Sequence, residues 1–242
     1  MVGGFEMSIN AEEFKKNHPA CGLRVPDFGK VRNPILKKTP TGLIYPGVVD
    51  NRDIGSKTKD QGALPQCAAY ACASFLEQIL RQRDGIVYDL DTKKIYERAK
   101  ELDGDNEDGT TLDHAMQAVL DVYKGYGYFS DNACYYLIQN ILGWEDEIKR
   151  FILKYGCCVL GLAITDGWYY ADVFSKAWIP SGSVTEGGHA VLAVGYNHNG
   201  VIIKNSWGCS WGESGMCVLS WEDLRKQFMY GCTMLHAFDT FG

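Results

Sequence analysis

The chain has 242 residues, of which 46% are hydrophobic and 12% are aromatic. That content is enough for one large domain or two small ones around a buried core. The 30 acidic residues outnumber the 24 basic ones and give a formal net charge of -6, so we do not expect a protein that binds nucleic acid by neutralising phosphates. No apolar stretch reaches the roughly 18 to 20 residues needed to cross a bilayer, and no export signal is visible, so we expect no membrane partner.

Residues 1 to about 45 differ from the rest of the chain. They contain most of the prolines, and only a short amphipathic piece from Ala11 to Lys16 has a helical pattern. We interpret residues 1–45 as an N-terminal arm or short pro-segment. Residues 46–242 are predicted to form the folded domain, with a helical lobe at about 60–155 and a β-rich lobe at about 156–242.

The secondary structure of the folded domain is predicted from its hydrophobic periodicity. Four helices are expected, the first opening at Pro65-Gln66-Cys67 and ending near Gly85, and the others at Thr92 to Gly104, Leu112 to Gly125 and Trp144 to Lys154. Four apolar runs then predict strands at Cys158 to Ile164, His189 to Tyr196, Val201 to Asn205 and Met216 to Trp221. Helices followed by strands predict an α+β fold with two packed lobes.

A cysteine at the start of the first predicted helix is a candidate nucleophile. Pro65 suits the first turn of a helix because its missing N–H needs no partner there, which places Cys67 in that turn. The helix dipole and the unpaired N–H groups favour negative charge at this end and lower the pKa of a thiol. Taken alone, the position is also compatible with a small buried apolar cysteine.

A histidine and an asparagine are candidate partners for this thiol. His189 follows two glycines at the mouth of a predicted apolar strand, where its ring can face a cleft, although a structural histidine is the commoner interpretation of such a residue alone. Asn205 opens an Asn-Ser-Trp-Gly motif. Its amide oxygen could accept the imidazole Nδ1–H and leave Nε2 to share a proton with the thiol. Trp207 could shield that bond from water.

These segments, taken in order, resemble the papain-like cysteine peptidases. The shared pattern is Gln-Gly, a short turn and Cys, then Gly-His-Ala-Val, then Lys-Asn-Ser-Trp-Gly and Trp-Gly-Glu-x-Gly. The spacings of His189 and Asn205 from Cys67 are close to the roughly 130 to 150 residues of the family. The resemblance covers about residues 48–240 and implies a papain-like two-lobed fold, with a helical lobe, a β-barrel-like lobe and the active-site cleft between them.

The resemblance also implies an activity and assigns roles. The chain would be a cysteine-type peptidase, a hydrolase that cleaves peptide bonds through an acyl-enzyme and needs no cofactor. Cys67 would be the nucleophile, His189 the base and then the acid, and Asn205 the residue that orients the imidazole. Gln61 would donate a side-chain N–H to the oxyanion, beside the backbone N–H of Cys67. An endopeptidase is expected, because no insertion typical of exopeptidases is visible.

The substrate groove and the partners are predicted from the same resemblance. The candidate substrate-binding residues are Thr110 and Thr111 on the helical lobe, with Gly188 and Trp207 on the β-rich lobe. The expected partners are a peptide or protein substrate and a proteinaceous inhibitor, and we expect a monomer. No metal site is predicted.

The N-terminal arm is too short for the usual helical pro-domain of the family. It is similar to the brief N-terminal extensions of some bacterial members, such as xylellain. We expect it to lie over or beside the cleft and to reduce activity until it moves or is cut. Two other functions stay open: an acyl-transfer enzyme acting on glutamine side chains, such as a transglutaminase or deamidase, and an inactive binding module on the same scaffold.

The cysteines bear on the compartment in which the protein works. The chain has nine, so at least one thiol has no disulfide partner within a monomer. Leu64 stands where the family has a disulfide cysteine, and the region expected to pair with Cys232 contains none. These losses favour the cytoplasm or another reducing compartment over secretion. A different set of disulfides stays open, as does secretion or delivery as an effector.

An acidic segment, Asp103 to Asp108, looks like the start of a calcium loop. The sixth position is Asp108 and the twelfth is His114, where an EF-hand loop has Gly and Glu. We therefore interpret the segment as a solvated acidic loop and expect His114 to be a surface or locally bonded residue.

Overall fold

The computed structural model describes residues 11–19, 22–31, 35–36, 44–140, 142–171, 178–183 and 185–235. Its helices are α1 (Ala11–Asn17), α2 (Cys67–Asp84), α3 (Thr92–Asp103), α4 (Leu112–Val122), α5 (Trp144–Tyr155) and α6 (Trp221–Gln227). Its strands are β1 (Leu23–Arg24), β2 (Ile35–Leu36), β3 (Val49–Asp50), β4 (Thr110–Thr111), β5 (Cys134–Gln139), β6 (Cys158–Thr165), β7 (Thr185–Tyr196), β8 (Gly200–Lys204), β9 (Met216–Ser220) and β10 (Phe228–Leu235). The predicted α+β class is confirmed. No helix in the described ranges is long and apolar enough to span a bilayer.

Helix α2 is the centre of the helical part. It packs against α3 and α4 on one side and against β7 on the other, and most of its side chains from Cys67 to Leu80 are buried. The helix starts at Cys67 with Gln66 as the N-cap, so Pro65 lies outside it and not in its first turn as predicted. It ends at Asp84 and is followed by Gly85, whose φ of 69° is the left-handed conformation that glycine adopts without strain.

The large sheet has the strand order β2-β5-β10-β6-β7-β8-β9, with β3 paired to β7. Strands β6, β7, β8 and β9 form antiparallel pairs in sequence order, and Leu162 on β6 lies opposite His189 on β7. A separate two-stranded sheet joins the arm to the domain, because β1 pairs in parallel with β4. The predicted strands on either side of Asn205 therefore form one continuous antiparallel surface.

Two hydrophobic clusters form the core. The first contains the buried faces of α2, α3 and α4, and the second lies between the sheet, α5 and α6. Strand β5 pairs with β10, and α5 packs on the sheet. Residues 134–155, which the sequence pattern groups with the helical lobe, are thus packed with the strands, because β10 at the end of the chain reaches back to pair with β5.

Candidate active site

Cys67 is the first residue of α2, and its side chain is fully buried. A tight turn precedes it, in which the backbone N–H of Leu64 donates to the carbonyl of Gln61 (3.2 Å) and that of Gln66 donates to the carbonyl of Leu64 (2.8 Å). This turn returns Gln61 towards the start of α2. The thiol lies at the positive end of an 18-residue helix, where the helix dipole favours negative charge.

His189 and Asn205 form a buried hydrogen bond. Nε2 of His189 donates to Oδ1 of Asn205 at 2.8 Å, and the side chain of His189 is fully buried. Nδ1 of the same ring is buried and has no hydrogen-bond partner in the described part of the chain. The ring is therefore turned the opposite way from the prediction, which paired Nδ1 with the asparagine. Nδ1 is the nitrogen left to exchange a proton with another group.

The pairing of β7 with β8 positions these two side chains. Leu192 lies opposite Lys204, so the chain that leaves β8 at Asn205 runs beside the part of β7 that contains His189. The amide of Asn205 is held by a second contact, since its Oδ1 also accepts the backbone N–H of Ser206 at 2.8 Å. This second hydrogen bond fixes the orientation of the Asn205 amide, so that its Oδ1 faces His189.

Aromatic side chains enclose this hydrogen bond. The ring centroid of Trp207 lies 4.8 Å from that of His189 at 31°, and Trp168 meets the same imidazole edge-on at 6.1 Å. Both tryptophans are fully buried. Burial lowers the pKa of His189 to about 4, and the hydrogen bond to Asn205 acts against that shift. The imidazole is therefore neutral in this closed state.

Gln61 is joined to the same segment by two hydrogen bonds. Its Oε1 accepts the hydroxyl of Ser206 at 2.7 Å, and its backbone N–H donates to the Ser206 carbonyl at 2.9 Å. Its Nε2 donates one N–H to the Leu64 carbonyl at 2.8 Å. Sequence reasoning missed Ser206. The signal was present, because Ser206 stands between Asn205 and Trp207 in a motif in which both neighbours had been assigned roles.

The candidate substrate-binding residues on the helical side are in contact with the arm. Thr110 and Thr111 are buried and form β4, which pairs with Leu23 and Arg24. The backbone N–H of Thr110 also donates to the carbonyl of Gly22 at 2.8 Å. The polar backbone edge of β4 is thus already occupied by arm residues.

The arm also lies against Gly188, a candidate residue on the β-rich side, and against the turn before Cys67. At Gly188, a Cβ atom would lie 2.5 Å from the carbonyl oxygen of Leu23. At Gly22, whose φ is +111°, a Cβ would lie 2.5 Å from the carbonyl oxygen of Pro65, two residues before Cys67. The backbone of residues 22–23 therefore passes between the approach to α2 and the approach to His189.

Helix α1 of the arm covers Trp207. Phe14 is buried and meets the Trp207 ring edge-on at 5.9 Å, and His18 stacks on Phe14 at 4.3 Å. Nε2 of His18 lies 3.0 Å from Oδ1 of Asp60, and Lys15 pairs with Glu186 at 2.6 Å. The arm thus contacts the site on two sides, through α1 at Trp207 and through β1 at Thr110.

The eight cysteines within the described ranges are all reduced. Cys21 lies outside those ranges, so its state is not described. Burial raises the pKa of the Cys158 thiol, which lies in the core. No cluster of His, Cys, Asp and Glu side chains in the described ranges could hold a metal ion.

Comparison with known proteins places the chain beside thiol peptidases. The family model "Papain family cysteine protease" matches residues 123–226, a range that contains His189 and Asn205 but begins after Cys67. The chain is 26% identical over 235 residues to the senescence-specific cysteine protease SAG39 of Oryza sativa subsp. indica, covering 86% of this chain and 69% of that protein. It is 28% identical over 243 residues to procathepsin L of Felis catus, covering 87% and 72%.

Among solved structures, the fold is similar to that of xylellain, a cysteine protease from Xylella fastidiosa. The TM-score is 0.68 with 19% sequence identity, and the match covers 90% of this chain and 96% of that one. The predicted papain-like two-lobed fold is confirmed by this likeness.

The buried state of His189 predicts a dependence of stability on pH. Because its pKa is lowered from 6.5 to about 4, the unfolded chain binds a proton that the folded chain does not as the pH falls through this interval. The free energy of unfolding should therefore decrease between pH 6.5 and pH 4, by on the order of 3 kcal/mol from this group. Urea unfolding at several pH values measures it. The His189→Asn variant should lose less stability over the same interval, and an equal loss in both proteins would contradict the assignment.

Proposed function

The chain is a papain-like cysteine peptidase of the C1 family, and we propose that it is an endopeptidase whose catalytic residues are Cys67, His189 and Asn205. The observation that carries the proposal is the orientation of His189. One ring nitrogen is held by Asn205 beneath Trp207, and the other has no hydrogen-bond partner among the residues that the structure describes. A ring fixed in this way is suited to moving one proton back and forth at Nδ1.

In the proposed reaction, His189 accepts a proton and gives it up again in each half of the cycle. Nδ1 of His189 takes the thiol proton of Cys67 as the sulfur attacks the carbonyl carbon of the substrate. The same proton then passes to the leaving amine as the peptide bond breaks, which leaves an acyl group on the sulfur. Water attacks that acyl group, gives a proton to His189 and releases the acid, while the thiol is restored.

Two donors are proposed for the negative oxygen that forms during each attack. One is the backbone N–H of Cys67 at the start of α2, and the other is the second side-chain N–H of Gln61. The hydroxyl of Ser206 supports this arrangement, because its hydrogen bond to Oε1 fixes which way the Gln61 amide points. Hydrogen-bond donors that already point at the position of the oxyanion stabilise the transition state without having to reorganise.

We also propose that the arm reduces activity by occupying the groove. A substrate that pairs with the backbone of Thr110 must displace Gly22, whose carbonyl now accepts that N–H. A substrate that reaches Trp207 must displace Phe14. Because both segments belong to the same chain, their effective concentration is high, and a peptide in solution competes poorly with them until they move.

The peptidase proposal predicts that turnover depends on the sulfur and on the imidazole. Cys67→Ala and His189→Ala should each reduce the cleavage of an internally quenched peptide library by at least about 10³-fold under reducing conditions. Mass spectrometry should locate the new termini inside the peptides. Release of ammonia from glutamine-containing peptides without chain cleavage would favour the acyl-transfer alternative. Cleavage retained by Cys67→Ala would contradict the proposed nucleophile.

Ser206 is predicted to act through Gln61 as a positioning residue. Ser206→Ala should lower kcat by about tenfold with little change in KM, because the amide of Gln61 is free to turn away from the oxyanion. In the Gln61→Ala background, the same substitution should have almost no further effect on kcat. If the two losses simply add, Ser206 acts by another route.

The arm proposal predicts that Gly22→Ala increases activity. An alanine at this φ is strained, and its Cβ would clash with the Pro65 carbonyl, so the arm should be displaced without any change in the folded domain. We expect the initial rate on a small fluorogenic peptide to rise about tenfold, since the conformational strain is of order 1–3 kcal/mol. Gly29→Ala is the matched control, because Gly29 has no positive φ and its Cβ would meet only the Asp27 carboxylate at 3.2 Å. Equal rates for wild type and Gly22→Ala would contradict inhibition by the arm.

A further inference from the structure

An arginine of the arm is seated among three acidic side chains beside β4. The Nη1 and Nη2 atoms of Arg24 donate to the two carboxylate oxygens of Asp105, at 3.0 and 2.8 Å. Nη1 also lies 3.5 Å from Oδ2 of Asp103, and Nη2 lies 3.7 Å from Oε2 of Glu107. This two-pronged contact is the geometry in which a guanidinium binds a carboxylate most strongly. The bound group comes from the arm, and the carboxylates come from the folded domain.

One carboxylate of the acidic segment is held in place, while Gly104 and residues 106–108 are exposed, as the solvated-loop prediction had it. The side chain of Asp103 is only 1% exposed. Its Oδ1 contacts Nδ1 of His114 at 2.6 Å and accepts the hydroxyl of Thr110 at 3.0 Å, and its Oδ2 accepts from Lys100 at 2.8 Å. Three side chains therefore hold one carboxylate towards Arg24 before any substrate arrives.

The side chains of the folded domain that surround Arg24 carry more negative than positive charge. Asp103, Asp105 and Glu107 face it, and Lys100 is the nearby cation on the same side, bonded to Asp103 and Asp105. His114 contacts Asp103 from the side of α4. Arg24 and then Lys100 hold the pKa of Asp105 well below its usual range. Displacing Arg24 leaves an excess of negative charge at a site that is shaped for a guanidinium.

The order of the arm residues relates this cluster to the candidate nucleophile. Gly22 lies against Pro65, close to the start of α2, and Leu23 lies against Gly188 and the sheet. Arg24 follows, so the arm leads away from Cys67 as it passes from residue 22 to residue 24. Neighbouring side chains of an extended chain point to opposite sides, and here Leu23 is directed to the sheet and Arg24 to the acidic segment.

We propose that Asp103, Asp105 and Glu107 form a subsite that selects a basic side chain of the substrate, at the third residue before the scissile bond. The inference rests on the proposed peptidase function and names its substrate class. The arm runs parallel to β4 and away from Cys67, so a substrate that runs towards the sulfur pairs with β4 in the opposite direction. Such a peptide would place its second residue before that bond where Leu23 lies, and its third where Arg24 lies. Arginine is favoured over lysine, because only the guanidinium can bind Asp105 with two parallel hydrogen bonds.

The experiment compares arginine with citrulline, which has nearly the same shape and no charge. Two fluorogenic peptides differ only in this residue at the third position, and the enzyme is the full chain carrying Gly22→Ala to displace the arm. We expect kcat/KM to be at least about tenfold higher for the arginine peptide, the size of one hydrogen bond to a charged group. The ratio should fall as salt is added.

Variants of the acidic segment identify the source of the selection. Asp105→Asn should bring the ratio of the two peptides close to one. Asp108→Asn is the matched control, because it removes the same charge from an exposed residue of the segment and should leave the ratio unchanged. A second arm variant, Arg24→Gln, empties the cluster directly and should show the same preference as Gly22→Ala.

Binding separates the subsite from the chemistry. Fluorescence anisotropy of the same peptides with Cys67→Ala in the Gly22→Ala chain reports selection without turnover. If the arginine peptide binds selectively but the Gly22→Ala chain that keeps Cys67 cleaves neither peptide, the subsite is supported and the peptidase proposal is contradicted. Cleavage of both peptides at equal rates, or a preference that survives Asp105→Asn, would overturn the subsite and leave the peptidase proposal standing. Neither binding nor cleavage in either arm variant would overturn both.

Discussion

The hydrogen bond from Nε2 of His189 to Oδ1 of Asn205 is the contact on which the proposed chemistry depends. A buried imidazole with one nitrogen held cannot rotate, so its other nitrogen keeps one direction. Trp207 packs on the ring of His189 and both side chains are fully buried, which strengthens the hydrogen bond in a medium of low dielectric. The geometry is supplied by the antiparallel strands β7 and β8, whose rigidity sets the position of both partners more precisely than a loop could.

The arm and the substrate are proposed to compete for the same groups of the protein. The arm contacts the backbone of Thr110, the ring of Trp207 and the carboxylate of Asp105. None of these contacts is covalent, so the arm can leave them. On this account, the groups with which the arm inhibits the enzyme are the same groups with which the enzyme recognises its substrate. On this account the sequence of the arm is informative about substrates, because Arg24 shows what kind of side chain the acidic segment holds. At Gly22 the arm lies so close to Pro65 that the closed state leaves no room for a side chain.

Local patterns in the sequence predicted much of the fold. The helices at Thr92 and Trp144 start where periodicity placed them, since that signal acts over a few residues. The pairing of β10 with β5 was not predictable in the same way, because it joins segments far apart in the chain. In the site, residue types and order identified His189 and Asn205. Which nitrogen of the ring meets the asparagine depends on the twist and register of two strands, and the sequence carries no direct signal for it.

The most direct test of the central claim is the tautomer of His189, read from the nitrogen-15 chemical shifts of its imidazole by NMR at neutral pH. The resonances can be assigned by their loss in His189→Asn. The account predicts a neutral ring protonated at Nε2 and bare at Nδ1, with the Nε2 proton shifted downfield by its hydrogen bond. In Asn205→Ala, the two tautomers should become mixed. A ring protonated at Nδ1 in the wild-type protein would contradict the account, because the nitrogen assigned to the sulfur could not then accept a proton.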